Sequence, residues 1–148
     1  MPNNPPPPTV LGLLVCDQII TDRLTGKQSL IGLFSRVHSR GFPASHPQLS
    51  VFVALTDGHG KAELGIRLVD ANDARPPIVE GKGIVDFKNP RAIAHLGLQF
   101  HGLTFPEPGE YRVQLWCQGE LLREARLELV PIRMPPPSEA QQMPTEET

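Results

Sequence analysis

Cysteine is scarce in this chain. Cys16 and Cys117 are the only two in 148 residues, too few for a disulfide framework. Each stands in an apolar stretch, where a free thiol packs as a small hydrophobe. No CxxC, zinc-knuckle or haem spacing occurs. Excess charge of either sign is also missing. The formal net charge is -2 and the pI about 6.2, and the ten arginines are scattered among acids. A nucleic-acid binder needs a basic face or stripe, so that class is not expected. No apolar run nears the roughly 18 residues of a membrane helix. The opening MPNNPPPPTV has no charged start followed by an apolar run, so a signal peptide is not expected either. The default compartment is the cytoplasm.

Catalytic signatures are missing as well. There is no GxSxG elbow, no HExxH, no Cys beside a sequence-local His, and no complete GxxxxGK[ST] loop. An enzyme is not expected, and no residue pattern asks for a cofactor.

Proline is abundant and concentrated at the ends. Five prolines fall within residues 1–8, a composition suited to an extended polyproline segment. Such a segment is either a tail clear of the fold or a proline-recognition ligand. Residues 134–148 carry prolines, three glutamates and no base, which reads as a disordered acidic tail. The folded unit is expected over 9–133, and a body of that size buries roughly two-thirds of its unfolded surface.

Between the tails, apolar residues alternate with period two. Eight strands are predicted: Leu11–Ile20, Lys27–Val37, Leu49–Thr56, Ala62–Asp70, Ile78–Phe87, Ala92–Leu103, Glu110–Gln118 and Leu122–Val130. The first is apolar on both faces, which predicts a central strand or one covered on both sides. Ser39–Pro47 reads as a loop. Gly58-His59 reads as a two-residue turn that pairs Val53 with Leu64 and sets Phe52 opposite Gly65. A three-residue loop, Gly119-Glu120-Leu121, would pair Trp116 with Glu124, Gln114 with Arg126 and Arg112 with Glu128. The class expected is all-β, an antiparallel two-sheet sandwich of Ig-like or jelly-roll-like kind.

The motif Cys16-Asp17…Ile20…Asp22…Thr25-Gly26-Lys27…Ser29-Leu30-Ile31-Gly32-Leu33-Phe34 resembles the opening of a family of small uncharacterised bacterial domains. Phe42-Pro43, Leu68-Val69-Asp70 and the corner Phe105-Pro106…Pro108-Gly109-Glu110-Tyr111 are similar to the same family. The resemblance spans most of Leu11–Val130. It implies a compact β-sandwich and a bacterial source, and it transfers no catalytic residue.

Three groups of residues are candidates for a site. Trp116 and Phe52 fall on polar strand faces, and Trp116 is flanked by Arg112 and Gln114. An outward Trp of this kind anchors a protein partner, a second copy or a sugar ring. Association, with another protein or with itself, is the first expectation. The second is a small-molecule or carbohydrate site built from Trp116 with His95, Gln99 and His101. The third and weakest is acid–base chemistry from Asp17, Asp22 and Lys27 with the loop histidines His38 and His46. Asp17 and Asp22 have opposite strand parity, so they face apart. The simpler role of Asp17, Asp22, Thr25, Gly26, Lys27 and Ser29 is structural, with the carboxylates bound to turn amides and hydroxyls. His95 and His101 lie roughly 20 Å apart along one strand, too far for one metal ion, and His59 sits at a turn tip.

Overall fold

Every second residue of the most regular strands is a branched aliphatic, and that half is buried. The computed structural model describes residues 6–72 and 74–132. It holds nine strands: β1 (Thr9–Thr21), β2 (Gln28–Leu33), β3 (Arg36–Ser39), β4 (Ala44–Thr56), β5 (Gly60–Asp70), β6 (Val79–Phe87), β7 (Ala94–Phe105), β8 (Gly109–Cys117) and β9 (Glu120–Pro131). No helix occurs among the described residues. The strands form a four-stranded sheet, β2-β1-β4-β7, and a five-stranded sheet, β3-β9-β8-β5-β6. Of the two expected tails, only Pro6 to Pro8 fall among the described residues.

Leu49, Val51, Val53 and Leu55 of β4 and Leu64, Ile66 and Leu68 of β5 are all buried, as their alternation requires. Their pairing differs from the hairpin expected at Gly58-His59. β4 pairs with β1 and β7, and β5 pairs with β6 and β8. The chain crosses from one sheet to the other at this turn. Alternation decides which face a residue takes, and matched faces suit a crossing between sheets as well as a ladder. Phe52 therefore lies opposite Gly97 and Leu14, and Gly65 lies opposite Trp116.

The second crossing is also unexpected. The expected Lys27–Val37 strand breaks at Phe34. Its end, β3, joins the other sheet and runs parallel to β9, with Val37 opposite Leu129. The expected loop at Ser39–Pro47 is half strand, since Ala44 pairs with Phe105. Pro47 has no N–H to give, and the ladder passes over it from His46↔Leu103 to Gln48↔His101.

The β8–β9 turn is shorter than expected. Gln118 and Gly119 have φ of 49° and 86°, the left-handed pair of a type I′ turn. A bulge between Leu115 and Trp116 then restores the faces, so Arg112 meets Arg126 and Gln114 meets Glu124. The shift from the expected register is two residues, which leaves every inner residue inside.

The shared core contains side chains of both sheets, among them Leu49, Val53, Leu64, Ile66, Val113, Leu115, Leu127 and Leu129. Burial of one such side chain contributes roughly 1.5–3 kcal/mol. Phe105 and Tyr111 meet edge to face at 5.1 Å. The Tyr111 hydroxyl donates to the Glu107 carbonyl at 2.7 Å, a tyrosine corner that ties the β7–β8 connection to the core. On the far side β6 lies against β7. A Cβ at Gly81 or Gly83 would collide with Phe100 or Leu96, so these glycines let the two strands approach.

Candidate interaction surface

The outer face of the five-stranded sheet carries Glu63, Gly65 and Arg67 from β5 and Arg112, Gln114 and Trp116 from β8. The expected trio of Arg112, Gln114 and Trp116 does share this face. Trp116 stands opposite Gly65 and covers the bare glycine. Its indole N–H donates to Gln114 Oε1 at 3.0 Å, and Gln114 Nε2 donates to Glu124 Oε2 at 2.7 Å. Arg112 donates to Glu124 Oε1 and to Glu110 Oε2, both at 3.0 Å. Hydrogen bonds to Glu110 first, and then to Glu124, raise the Arg112 pKa further above its already high value. The Arg67 guanidinium carbon lies 5.0 Å from the centroid of the Trp116 ring, and Arg67 Nε is 3.4 Å from Glu80. A shallow depression of about 220 Å³ opens beside the ring, lined by Gly65, Arg67, Glu80 and Lys82.

Phe52 does not join this face. It is on β4, in the other sheet, with its ring 5.2 Å from that of His95. His95, Gln99 and His101 are exposed on the outer face of β7. They do not meet Trp116.

The Asp17 and Asp22 group also divides. Asp22 Oδ1 accepts from the amides of Leu24 at 2.8 Å and Thr25 at 3.0 Å, and Thr25 Oγ1 accepts from the Lys27 amide at 3.1 Å. These amides, Thr25 first, hold the Asp22 carboxyl below its ordinary value. Gly26, with φ 75°, closes the turn. Asp17 lies about 16 Å further along the strand. Its carbonyl accepts from Gln48 Nε2 at 2.9 Å and Ser50 Oγ at 3.3 Å. Its carboxylate fills the space that a Cβ on Gly32 would need. Gly32 has φ 73°, so two separate constraints select glycine there. Asp17 lines a concavity of about 340 Å³ with Phe34, Arg36, His38 and His46. Asp22 and Lys27 do not reach it. No group of three His, Cys, Asp or Glu side chains close enough to hold a metal ion occurs among the described residues.

The most distinctive surface is on the β1–β2 hairpin. β1 pairs with β4 only as far as Cys16↔Ser50, while its ladder with β2 continues to Thr21↔Gln28. Beyond Cys16 the hairpin bends over the outer face of β4 and β7. Ile19 occupies the space left by the missing Cβ of Gly97, and Ser50 is 1% exposed. The other side of the hairpin is largely exposed, although Cys16 on it is buried. Cys16 pairs with Leu33 and Gln18 with Ile31, so Leu14, Ile20, Ile31 and Leu33 share one face of the ladder. These four are 43–59% exposed, and Leu24 at the tip is 96% exposed. With Leu11 they make six of the ten exposed large aliphatic side chains among the described residues; the other four, Ile84, Ile93, Leu121 and Ile132, are spread one by one. Leu14 and Leu33 also line a groove of about 420 Å³ with Phe34 and Ala125 of β9. The two-faced apolar strand is central, between β2 and β4, as the first form of the expectation has it, and it is covered on one side only. The signal for this surface is in the sequence, as apolarity on both strand faces.

No helix among the described residues is long and apolar enough to cross a membrane. No curated protein matches the chain. Solved structures match at low similarity. A β-glucosidase from Erythrobacter marinus is 18% identical with a TM-score of 0.40, over 66% of this chain and 14% of that one. A β-glucosidase from Listeria innocua is 14% identical with a TM-score of 0.42, over 83% and 16%. The alkylpurine DNA glycosylase AlkC from Pseudomonas fluorescens is 12% identical with a TM-score of 0.38, over 80% and 30%. This chain spans less than a third of the length of each. The motif that opens at Cys16-Asp17 and the corner that ends at Tyr111 lie within one family model, matched over residues 11–130, and the chain belongs to that family, a family of unknown function designated DUF6941.

Proposed function

We propose that this chain is a non-enzymatic association module whose contact surface is the bare face of the β1–β2 hairpin. The observation that carries the reading is the cluster of Leu14, Ile20, Ile31 and Leu33, exposed together on one side of an edge hairpin. Contiguous apolar surface on a folded domain marks a contact site, whereas single exposed aliphatics do not. In this reading the two sheets stack as a sandwich and hold the hairpin rigid. The bacterial, cytoplasmic setting agrees with two buried free thiols, which a reducing compartment preserves.

A second reading keeps the expected site at Arg112, Gln114 and Trp116. The depression beside the half-buried indole favours it, as a seat for a partner side chain or a sugar ring. The test compares Leu14→Lys/Leu33→Lys with Trp116→Ala in the full chain. Self-association is read by sedimentation and heterologous association by partner recovery from host extract. The hairpin variant is expected to lower association at least about tenfold, with Trp116→Ala near wild type. The reverse pattern overturns the hairpin as the contact.

A further inference from the structure

We infer that the cleft under the β1–β2 hairpin is a binding site for a small uncharged molecule that carries hydroxyl or amide donors. The cleft is on the packed side of the hairpin and has a volume of about 190 Å³, the share of roughly six waters. The site and the contact surface proposed above are on opposite sides of the hairpin and stand independently. The roof of the cleft is the last rung of the hairpin, Thr21 opposite Gln28. Its floor is a rung of the sheet, Ser50 of β4 opposite Gln99 of β7. Opposed residues of an antiparallel pair share a face, so each rung presents two polar side chains side by side. Ile19 stands in the space of the missing Gly97 Cβ and sets the spacing between roof and floor.

The roof carries an unmet hydrogen bond. Gln28 Nε2 donates to Thr21 Oγ1 at 3.4 Å, while Gln28 Oε1 is buried with no partner. Buried amide oxygens are almost always paired, and one left alone costs stability. A ligand N–H or O–H supplies the missing donor. The terminal torsion of a glutamine is broad, so the amide can turn to a bound donor without moving the strand. On the floor, Ser50 is 1% exposed. Its hydroxyl donates to the Asp17 carbonyl at 3.3 Å, which leaves its oxygen as an acceptor. Gln99, exposed on the same rung, adds an amide donor and an amide acceptor.

The lining selects the class of ligand. Every residue that lines the cleft is uncharged, and a charged ligand would give up its hydration with no opposite charge to meet it. The unmet group is an acceptor, so an apolar ligand would leave it unpaired. A neutral donor answers both conditions. By contrast, the depression beside Trp116 is lined by Arg67, Glu80 and Lys82, and the concavity at Asp17 by Arg36.

The experiment is an NMR titration of the full isotope-labelled chain, read at the side-chain amides of Gln28 and Gln99 and the backbone amide of Gly97. The probes are myo-inositol for hydroxyl donors, acetamide for amide donors, and acetate as the charged twin of acetamide. At least one neutral probe is expected to give saturable shifts at these three groups, with the Gln114 amide on the other sheet unmoved. Binding of inositol alone names a polyol, and binding of acetamide alone names a carboxamide. Acetate is expected to give no saturable shift. Gln28→Met keeps the length of the side chain and removes the amide, and it is expected to weaken binding at least about tenfold, read at Gln99 and Gly97. The backbone spectrum verifies that the variant is folded, and the acetate comparison is made in wild type, so it decides whether or not the variant folds. No saturable shift with either neutral probe, equal binding of acetate, or unchanged binding in Gln28→Met overturns the site.

Discussion

The two outer faces of this molecule use opposite means to meet water. On the five-stranded sheet, Trp116, Gln114, Glu124, Arg112 and Glu110 form one chain of hydrogen bonds, and Arg67 is shared between Glu80 and the indole ring. These polar groups have partners within their own sheet, and the indole covers a glycine. On the β1–β2 hairpin, the side toward β4 and β7 is packed, and the other side exposes four large aliphatics around Gln18. An outward tryptophan is thus a weaker sign of a contact than a run of outward leucines and isoleucines. The indole has found its partners within its own sheet, and the aliphatic side chains are about half exposed.

Paired substitutions sharpen the comparison. The largest effect is expected between two leucines of the same size. Leu64 is fully buried and Leu33 is 59% exposed. Leu64→Ala is expected to cost about 2–5 kcal/mol in chemical unfolding. Leu33→Ala is expected to stay within about 0.5 kcal/mol and to weaken association instead. If Leu33→Ala proves as destabilising as Leu64→Ala, the hairpin face belongs to the core and the contrast collapses.

Gly32→Ala comes next, at about 1–3 kcal/mol of stability, because it adds a Cβ at φ 73° against the Asp17 carboxylate. In an Asp17→Ala background the same change is expected to cost less, since only the backbone strain remains. Equal losses in the two backgrounds, read from urea midpoints, would show that the carboxylate does not press on Gly32.

The smallest effect is a pH dependence. Asp22 has its pKa lowered from 3.8 by the Thr25 and Leu24 amides. A carboxyl lowered by folding adds stability that is present above its unfolded pKa and is lost as pH falls through the folded pKa. Asp22→Asn keeps the acceptor oxygen and removes the titration. The acid side of the stability profile, below about pH 4, is expected to flatten slightly in that variant. An unchanged slope would mean that the turn amides do not favour the ionised form.

Much of the fold was legible. The alternation in β4, β5 and β8 named their buried sides correctly, because a period of two leaves no choice of face once one side is apolar. The turn at Asp22–Lys27 was legible too, since Asx bonds and a left-handed glycine are local. Partners were not. Leu64 was matched to Val53 along a ladder, yet the two strands lie in different sheets. The pattern sets Arg112 opposite Glu128, yet it lies opposite Arg126, two residues off. Both errors preserve the faces, and a pattern that repeats every two residues cannot detect them. Of the candidate site, Arg112, Gln114 and Trp116 were legible as one cluster because they share one strand. Phe52, His95, Gln99 and His101 were not separable from it, because strand order is a long-range property.

By itself, then, the sequence determined an all-β class, the inner face of nearly every strand and the chemistry of the Asp22–Lys27 turn, since each follows from neighbours a few residues apart. Only the tertiary structure decided that β3 crosses to the other sheet and that the hairpin bends over β4 and β7 with one apolar side left bare. Those outcomes depend on how two sheets share one core. Loop closure, strand twist and the room left by Gly81, Gly83 and Gly97 select among pairings that alternate equally well.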